Sequence, residues 1–215
     1  MAKKDRTGNR KPRDQKRVSK KPELGYYLVV TDTEGTERCF FNGLHQALPE
    51  DVRNKLVIRV VKAKTRVMID KCQELTAYDA QYRVPWIVFD RDQVQGFDEI
   101  IAEAERKDIN VGWSNPCFEI WLYAYFGAMP VIQDSWKCCS DFGRVYESKT
   151  GQKYSKTDPR MYEKLCSSGD EEKALQIAQQ KLEERKREGK KKPSQMWPCT
   201  TVHKLVGEIK GKVGV

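Results

Sequence analysis

The sequence lacks the features of a membrane or secreted protein. No apolar run approaches the roughly 20 residues that a bilayer-spanning helix needs. The amino-terminal region is charged throughout and contains no apolar core typical of a signal peptide. We therefore expect a cytoplasmic protein that has no membrane partner.

Residues that bind the softer metals are scarce or unfavourably spaced. Only two histidines occur, His45 and His203. The seven cysteines are odd in number and form no C-x-x-C pair, which predicts reduced thiols rather than a disulfide framework or a zinc site. They are Cys39, Cys72, Cys117, Cys138, Cys139, Cys166 and Cys199. Any metal should be held by oxygen atoms, which suit Mg²⁺ or Mn²⁺.

The net charge of +9 is concentrated at one end of the 215-residue chain. Residues 1–22 contain ten lysines and arginines against Asp5 and Asp14, so the remainder is close to neutral. We expect a disordered basic tail over residues 1–22 and a single domain over 23–215. The tail fits a polyanionic partner such as nucleic acid, and equally a solubilising or localising role.

Short apolar segments alternate with amphipathic ones along the domain. Strands are predicted at 26–30, 56–61, 84–90 and 109–113, and helices at 37–48, 64–82 and after Gly96. This order is typical of an α/β fold with a mostly parallel sheet flanked by helices. Helices near 170–188 and 198–206 make the carboxyl-terminal part α-rich. Glycines and prolines interrupt residues 127–169, which are predicted to be an irregular insertion or lid.

A buried helix is predicted after the fourth strand. Asn115 suits its N-cap and Pro116 its first position. The segment is apolar nearly all round, so the lone acid Glu119 in its first turn stands out. Glu119 either joins an acidic site or simply favours the helix dipole or pairs with an arginine.

Acidic residues follow three of the predicted strands. Glu34 follows the first strand, Asp90 and Asp92 follow the third, and Glu119 follows the fourth. The carboxyl ends of parallel strands meet at one edge of a sheet, where ligands bind. Clustered carboxylates repel one another unless a divalent cation neutralises them, and paired Mg²⁺ ions cleave phosphodiesters. The plain alternative is a turn that uses aspartate for capping and solubility.

Four sequence blocks resemble the RloB-like family of bacterial proteins, in the order that the family has them. They cover residues 33–37, 89–92, 114–121 and 198–205. The pairing of Glu34 with Asp90 and Asp92 also resembles the TOPRIM fold of topoisomerases, primases and the overcoming-lysogenization-defect nucleases. One departure is Thr33, where the family would have a cysteine before the Glu-Gly pair.

The resemblance implies a TOPRIM-type nuclease of antiphage defence, often encoded beside an ATPase. It implies Glu34 as general acid/base, and Asp90 and Asp92 as ligands of Mg²⁺ or Mn²⁺ with Glu119 in support. We expect RNA, including tRNA, ahead of DNA as the substrate. Lys204 is the candidate catalytic cation, whereas Arg91 should point to the opposite side of its strand.

Two other functions fit parts of the pattern. Residues 90–94 fit the D-x-D-x-[TV] motif of haloacid-dehalogenase-type phosphatases, although those enzymes carry it on their first strand. The second alternative function is a non-catalytic adaptor that binds RNA or an ATPase. The activity of a small nuclease without an evident sensor domain has to be held in check. We therefore also expect this activity to be controlled by a homo-oligomeric or partner-bound state.

Overall fold

A five-stranded sheet runs through the centre of the molecule, in the order β2-β1-β3-β4-β5. The computed structural model describes residues 23–77, 83–92 and 94–214, so the predicted basic tail lies outside the described residues. The strands are β1 (Gly25–Thr31), β2 (Leu56–Lys62), β3 (Arg83–Asp90), β4 (Asn110–Asn115) and β5 (Cys199–Thr200). All pairs are parallel except β4 with β5. The predicted α/β class with a mostly parallel sheet is confirmed.

Helices cover both faces of this sheet. They are α1 (Thr36–Ala47), α2 (Glu50–Arg53), α3 (Met68–Ala77), α4 (Phe97–Arg106), α5 (Glu119–Ala124), α6 (Ser135–Thr150), α7 (Met161–Ser168), α8 (Glu171–Arg187) and α9 (Val202–Val213), with short 3-10 helices at Thr65–Val67 and Pro193–Gln195. The carboxyl-terminal part is α-rich, as expected. Of the helices described, none is both long and apolar enough to cross a membrane.

The central strands are buried on both faces, which explains why their apolar residues run continuously rather than alternating. In β1, Val29 shares a core with α1 and α5, whereas Val30 shares a core with α3 and α4. On the first side, the ring of Phe40 makes edge-to-face contacts with the rings of Phe118 and Trp121. These contacts hold α1 against the start of α5, beside the carboxyl-terminal edge of the sheet.

The predicted helix start at Asn115 is wrong. β4 continues to Asn115, which pairs with Cys199 of β5. The side-chain amide of Asn115 donates to the carbonyls of Pro193 and Ser194, at 3.1 and 3.2 Å. The helix begins at Glu119 instead. A strand partner far away in the sequence has therefore overridden the local preference of asparagine for an N-cap.

Residues 127–169 are more regular than predicted, because they contain α6 and α7. The Asp134 side chain caps α6 by accepting the backbone N–H of Lys137 at 2.6 Å. α6 ends at Gly151, whose φ of 70° suits glycine. The role of this segment as an insertion or lid stays a prediction. The predicted helix over 64–82 is a 3-10 turn followed by α3, and residues 78–82 lie outside the described residues.

Gly169, between α7 and α8, packs too closely for a side chain. A Cβ there would lie 2.6 Å from the carbonyl oxygen of Tyr125 and 2.9 Å from that of Leu165. Gly169→Ala should therefore lower the free energy of unfolding by roughly 1–3 kcal/mol. A Cβ at Gly211 of α9 would meet no atom of the described residues within 4 Å, so Gly211→Ala should raise it by about 0.5–1 kcal/mol. Urea unfolding measures the stability of both variants. A Gly169→Ala protein as stable as the unmodified one would contradict the close packing at Gly169.

Candidate functional site

Three carboxylates meet at the carboxyl-terminal edge of the sheet. β1 and β3 are paired up to Thr31 and Val88. Asp32 is the first residue after β1, and Asp90 is the last residue of β3. Beyond Asp90 the chain stays close to the end of β4, because the backbone N–H of Asp92 donates to the carbonyl of Pro116 at 3.0 Å. Parallel pairing thus brings together acids that are far apart in the sequence.

A cleft of about 640 Å³ opens at this edge, and we call it the acidic cleft. Its lining includes Asp32, Asp90 and Asp92 together with Lys64 and Arg66. The two basic residues belong to the segment that follows β2 and forms the 3-10 turn Thr65–Val67. The cleft therefore combines oxygen ligands for a cation with positive side chains for an anionic group.

The carboxylates of the acidic cleft repel one another. Oδ1 of Asp32 is buried and has no hydrogen-bond partner among the described residues. Burial, reinforced by the charge of Asp92, raises the pKa of Asp32 to about 6. Burial, followed by the charges of Glu37 and Asp32, raises the pKa of Asp90 well above its usual range. A divalent cation would remove this repulsion and satisfy the buried oxygen.

Glu37 is a further acid beside this group, although the sequence pattern did not indicate it. It lies in the first turn of α1 with 3% of its surface exposed. The hydroxyl of Thr33 donates to its Oε2. Burial, with repulsion from Asp32, raises the pKa of Glu37 to about 7. A carboxyl group that titrates near neutral pH is suited to exchanging protons.

Three predicted site residues, Glu34, Lys204 and Glu119, do not line the acidic cleft. The side chain of Glu34 is 60% exposed and pairs with Arg38, with 3.7 Å between Oε1 and Nη1. Lys204 is exposed in the first turn of α9. The roles of Glu34 as acid/base and of Lys204 as catalytic cation stay predictions.

Arg91 and His203 both make contacts that hold the fold together. Arg91 donates to the carbonyls of Asp92 and Val94, and its guanidinium lies 5.8 Å from the centre of the Phe97 ring. His203 is buried, with Nε2 lying 2.9 Å from Oε1 of Gln179. Burial lowers the pKa of His203 to about 4, so this imidazole is neutral at physiological pH.

Glu119 begins α5 and is 1% exposed. Its Oε1 accepts the hydroxyl of Tyr154 at 2.9 Å and that of Thr36 at 3.4 Å, and lies 3.2 Å from Nζ of Lys156. Burial opposes the ionisation of Glu119, but Lys156 and Tyr154 outweigh it and lower its pKa below the usual value. The expected arginine partner is thus a lysine, and it comes from the segment 127–169. The charge of Glu119 also raises the pKa of Asp90.

Two cysteines adjoin the carboxylate of Glu119. Sγ of Cys117, Sγ of Cys139 and a carboxylate oxygen of Glu119 lie within 4.8 Å of one another, and we call these residues the thiol–carboxylate cluster. Groups of these types at these distances are able to hold a metal ion. None of the seven cysteines forms a disulfide bond in the structure. The sequence predicted that any metal would be held by oxygen atoms alone. The acidic cleft fits that prediction, whereas the thiol–carboxylate cluster also offers sulfur.

Comparison with known proteins identifies a family. The model of a family described as RloB-like protein matches residues 27–209. No curated protein and no solved structure matches the chain. The matched range contains the residues of both the acidic cleft and the thiol–carboxylate cluster.

Without divalent cations, the protein should lose stability as the pH rises from 5 to 8. The folded-state pKa of Glu37, about 7, lies above its ordinary value of 4.5. The folded state therefore holds a proton that the unfolded state has lost, and stability falls as pH rises through this interval. At about 1.4 kcal/mol per pKa unit, the loss from Glu37 is on the order of 3 kcal/mol. Urea unfolding in EDTA at several pH values measures it.

Glu37→Gln should reduce this pH dependence by the contribution of Glu37, because the amide does not titrate, whereas Asp32 and Asp90 retain their own contributions. Glu34→Gln, at the exposed acid three residues earlier, should retain the dependence of the unmodified protein. The same pH dependence in Glu37→Gln as in the unmodified protein would contradict the raised pKa of Glu37.

Proposed function

This chain belongs to the RloB-like protein family, and we propose that it is a Mg²⁺- or Mn²⁺-dependent nuclease whose reaction takes place in the acidic cleft. The observation that carries this proposal is the convergence of Asp32, Asp90 and Asp92 in one cleft with Lys64 and Arg66. A metal ion and a phosphodiester are the two ligands that such a combination of charges accommodates. We also propose that the fold is of the TOPRIM type.

Asp32, Asp90 and Asp92 would hold the metal ion. The fit is chemical, since all three offer the oxygen ligands that Mg²⁺ and Mn²⁺ prefer. The buried Oδ1 of Asp32, which no hydrogen bond from the described residues satisfies, is a ready ligand. When bound, the ion would activate water and stabilise the charge that develops on a phosphodiester.

The remaining groups of the edge have roles in charge and proton balance. Lys64 and Arg66 would bind the phosphates that flank the scissile bond. Glu37 would hold or release a proton, because its pKa is raised to about 7. The family resemblance implies Glu34 for this role, but the burial of Glu37 beside Asp32 favours Glu37. The proton carrier is assigned by comparing the cleavage rates of Glu37→Gln and Glu34→Gln with that of Asp90→Asn. The variant whose rate falls as far as that of Asp90→Asn has lost the proton carrier.

Trp136 supports RNA as the substrate. It is 80% exposed in the first turn of α6. The hydroxyl of the preceding Ser135 donates at 3.4 Å to the carbonyl of Pro116, which also accepts the N–H of Asp92. Trp136 thus follows a residue that contacts the loop beside Asp92, and its exposed indole is suited to stacking on an unpaired base. Unpaired bases are common in the loops of tRNA and other RNA, and rare in duplex DNA.

Other functions remain as alternatives that the same experiments decide. A DNA endonuclease of the same fold would cut plasmid DNA, and a non-catalytic adaptor would bind nucleic acid or an ATPase without cutting. A haloacid-dehalogenase-type phosphatase is disfavoured, because Asp90 ends the third strand of the chain. Antiphage defence, an ATPase partner and control by oligomerisation are part of the proposal through the family resemblance.

Asp90→Asn should abolish metal-dependent cleavage, because it removes a ligand charge without changing the size of the side chain. Losing about 3 kcal/mol of transition-state stabilisation lowers the rate about 100-fold. Purified protein is incubated with total tRNA and with plasmid DNA, each with Mg²⁺, Mn²⁺ or EDTA. The matched control is Asp51→Asn at an exposed acid of α2, which should cut at the unmodified rate.

Undiminished cleavage by Asp90→Asn would show that the acidic cleft is not the active site. Cleavage of plasmid DNA alone would select the DNA endonuclease. Metal-dependent binding of tRNA without cleavage by any variant would select the adaptor.

Trp136→Ala should weaken the binding of single-stranded RNA by about 1–3 kcal/mol, the usual contribution of one stacked base. Fluorescence anisotropy in the Asp90→Asn background measures affinity without cleavage. Trp136→Phe should retain most of the affinity, because the phenyl ring still stacks. The matched control is Val131→Ala, since Val131 is an apolar residue of similar exposure (72%). Equal affinities of Trp136→Ala and Val131→Ala would contradict stacking.

A further inference from the structure

We infer that the thiol–carboxylate cluster is a second metal site, specific for a thiophilic ion of tetrahedral preference such as Zn²⁺. Its ligands are Cys117, Glu119 and Cys139. This site is chemically distinct from the acidic cleft, whose ligands are all oxygen atoms. The inference goes beyond the proposed nuclease activity and does not depend on it.

The distance between the two sulfur atoms fits zinc. Sγ of Cys117 and Sγ of Cys139 are 3.7 Å apart. Two thiolates bound tetrahedrally at the usual Zn–S length of about 2.3 Å would be about 3.8 Å apart. The carboxylate oxygen of Glu119 lies within 4.8 Å of both. A tetrahedral ion would hold this oxygen about 3.5 Å from each sulfur, so the carboxylate would move toward the sulfur atoms as the ion binds.

The ligands lie on elements that the core holds in place. Cys117 is 2% exposed and directly precedes the first turn of α5, while Cys139 is on α6. α5 and α6 are packed together by the rings of Tyr123 and Phe142, whose centres are 5.1 Å apart. Preorganised ligands lower the entropic cost of binding a metal.

Hydrogen bonds also orient the carboxylate. Tyr154 and Thr36 both donate to Oε1 of Glu119. Outer partners of this kind are typical of metal sites, because they fix the direction of the ligand lone pairs.

The cluster already stabilises a positive charge. Nζ of Lys156 lies 3.2 Å from Oε1 of Glu119 and 3.5 Å from Sγ of Cys139. Two of the three ligand atoms thus contact one cationic group, and its side chain is 57% exposed and able to move. A metal ion would supply this charge at shorter range, and the two thiols would release their protons to solvent as it binds.

The ligand types decide which ion binds. Thiolates favour Zn²⁺ and other thiophilic ions over Mg²⁺, which prefers oxygen. In the part of the chain that the structure describes, the cluster consists of these three residues, and the buried thiol of Cys138 adjoins that of Cys117 outside it. A site with three protein ligands leaves one position for water or a substrate group, as in zinc sites that are chemically active.

Co²⁺ is the probe, because it replaces Zn²⁺ and thiolate ligation gives it a near-ultraviolet charge-transfer absorption. Full-length protein stripped with chelator and kept reduced is titrated with Co²⁺ in the presence of excess Mg²⁺. We expect the thiolate absorption to saturate at one ion per chain, and Zn²⁺ to abolish it by displacement. Cys139→Ser should weaken Co²⁺ binding at least about 100-fold, since even outer partners of a metal contribute about 10- to 100-fold.

Controls separate this site from the rest of the molecule. Glu119→Gln should weaken Co²⁺ binding while retaining the thiolate absorption at high Co²⁺. Cys166→Ser, at the exposed cysteine of α7, should bind Co²⁺ as the unmodified protein does. The absence of any thiolate absorption, or its persistence with unchanged affinity in Cys139→Ser, would overturn the inference. Neither result bears on nuclease activity, which is measured separately with Mg²⁺ or Mn²⁺ and no Co²⁺ or Zn²⁺.

Discussion

Repulsion between carboxylates at one edge of the sheet is the constraint on which the rest of the site depends. The backbone pairing of β1, β3 and β4 places Asp32 and Asp90 side by side, and the core of apolar side chains prevents them from moving apart. Burial raises the pKa values of both acids, and the charges of the neighbouring carboxylates raise them further. Natural proteins retain such unfavourable arrangements mainly where function requires them, because the acids otherwise destabilise the fold.

The molecule relieves this repulsion differently in neighbouring places. Glu119 has Lys156 and the hydroxyls of Tyr154 and Thr36 as partners, so it remains ionised although it is buried. Asp32 and Asp90 form no ion pair with a lysine or arginine among the contacts of the described residues, although Lys64 and Arg66 line the same cleft. A metal ion would supply positive charge in direct contact with these carboxylates. The two pockets therefore differ in chemistry although the charge of Glu119 acts on Asp90. Binding of a cation in one pocket should thus affect the protonation of the other.

Most of the fold followed from local patterns, but the site followed only in part. The acids Asp90 and Asp92 were identified because they end an apolar strand. Asp32 has the same position after β1, yet the sequence pattern favoured Glu34 two residues later. Only the paired strands show that Asp32 lines the cleft while Glu34 points to solvent. A choice between acids two residues apart depends on where the strand ends, which local sequence defines poorly.

The sequence by itself determined four of the five strands described, most of the helices and the class of the sheet, because continuous apolar runs and amphipathic periods are local properties of the chain. β5 lies where a helix start was predicted. The sequence also placed Glu119 in the first turn of a buried helix. Only the tertiary structure decided that Asn115 continues β4, that Glu37 is buried, and that Cys139 and Lys156 reach Glu119. Each of these depends on contacts between segments distant in the sequence, and the energy of such contacts exceeds the preference of any single residue.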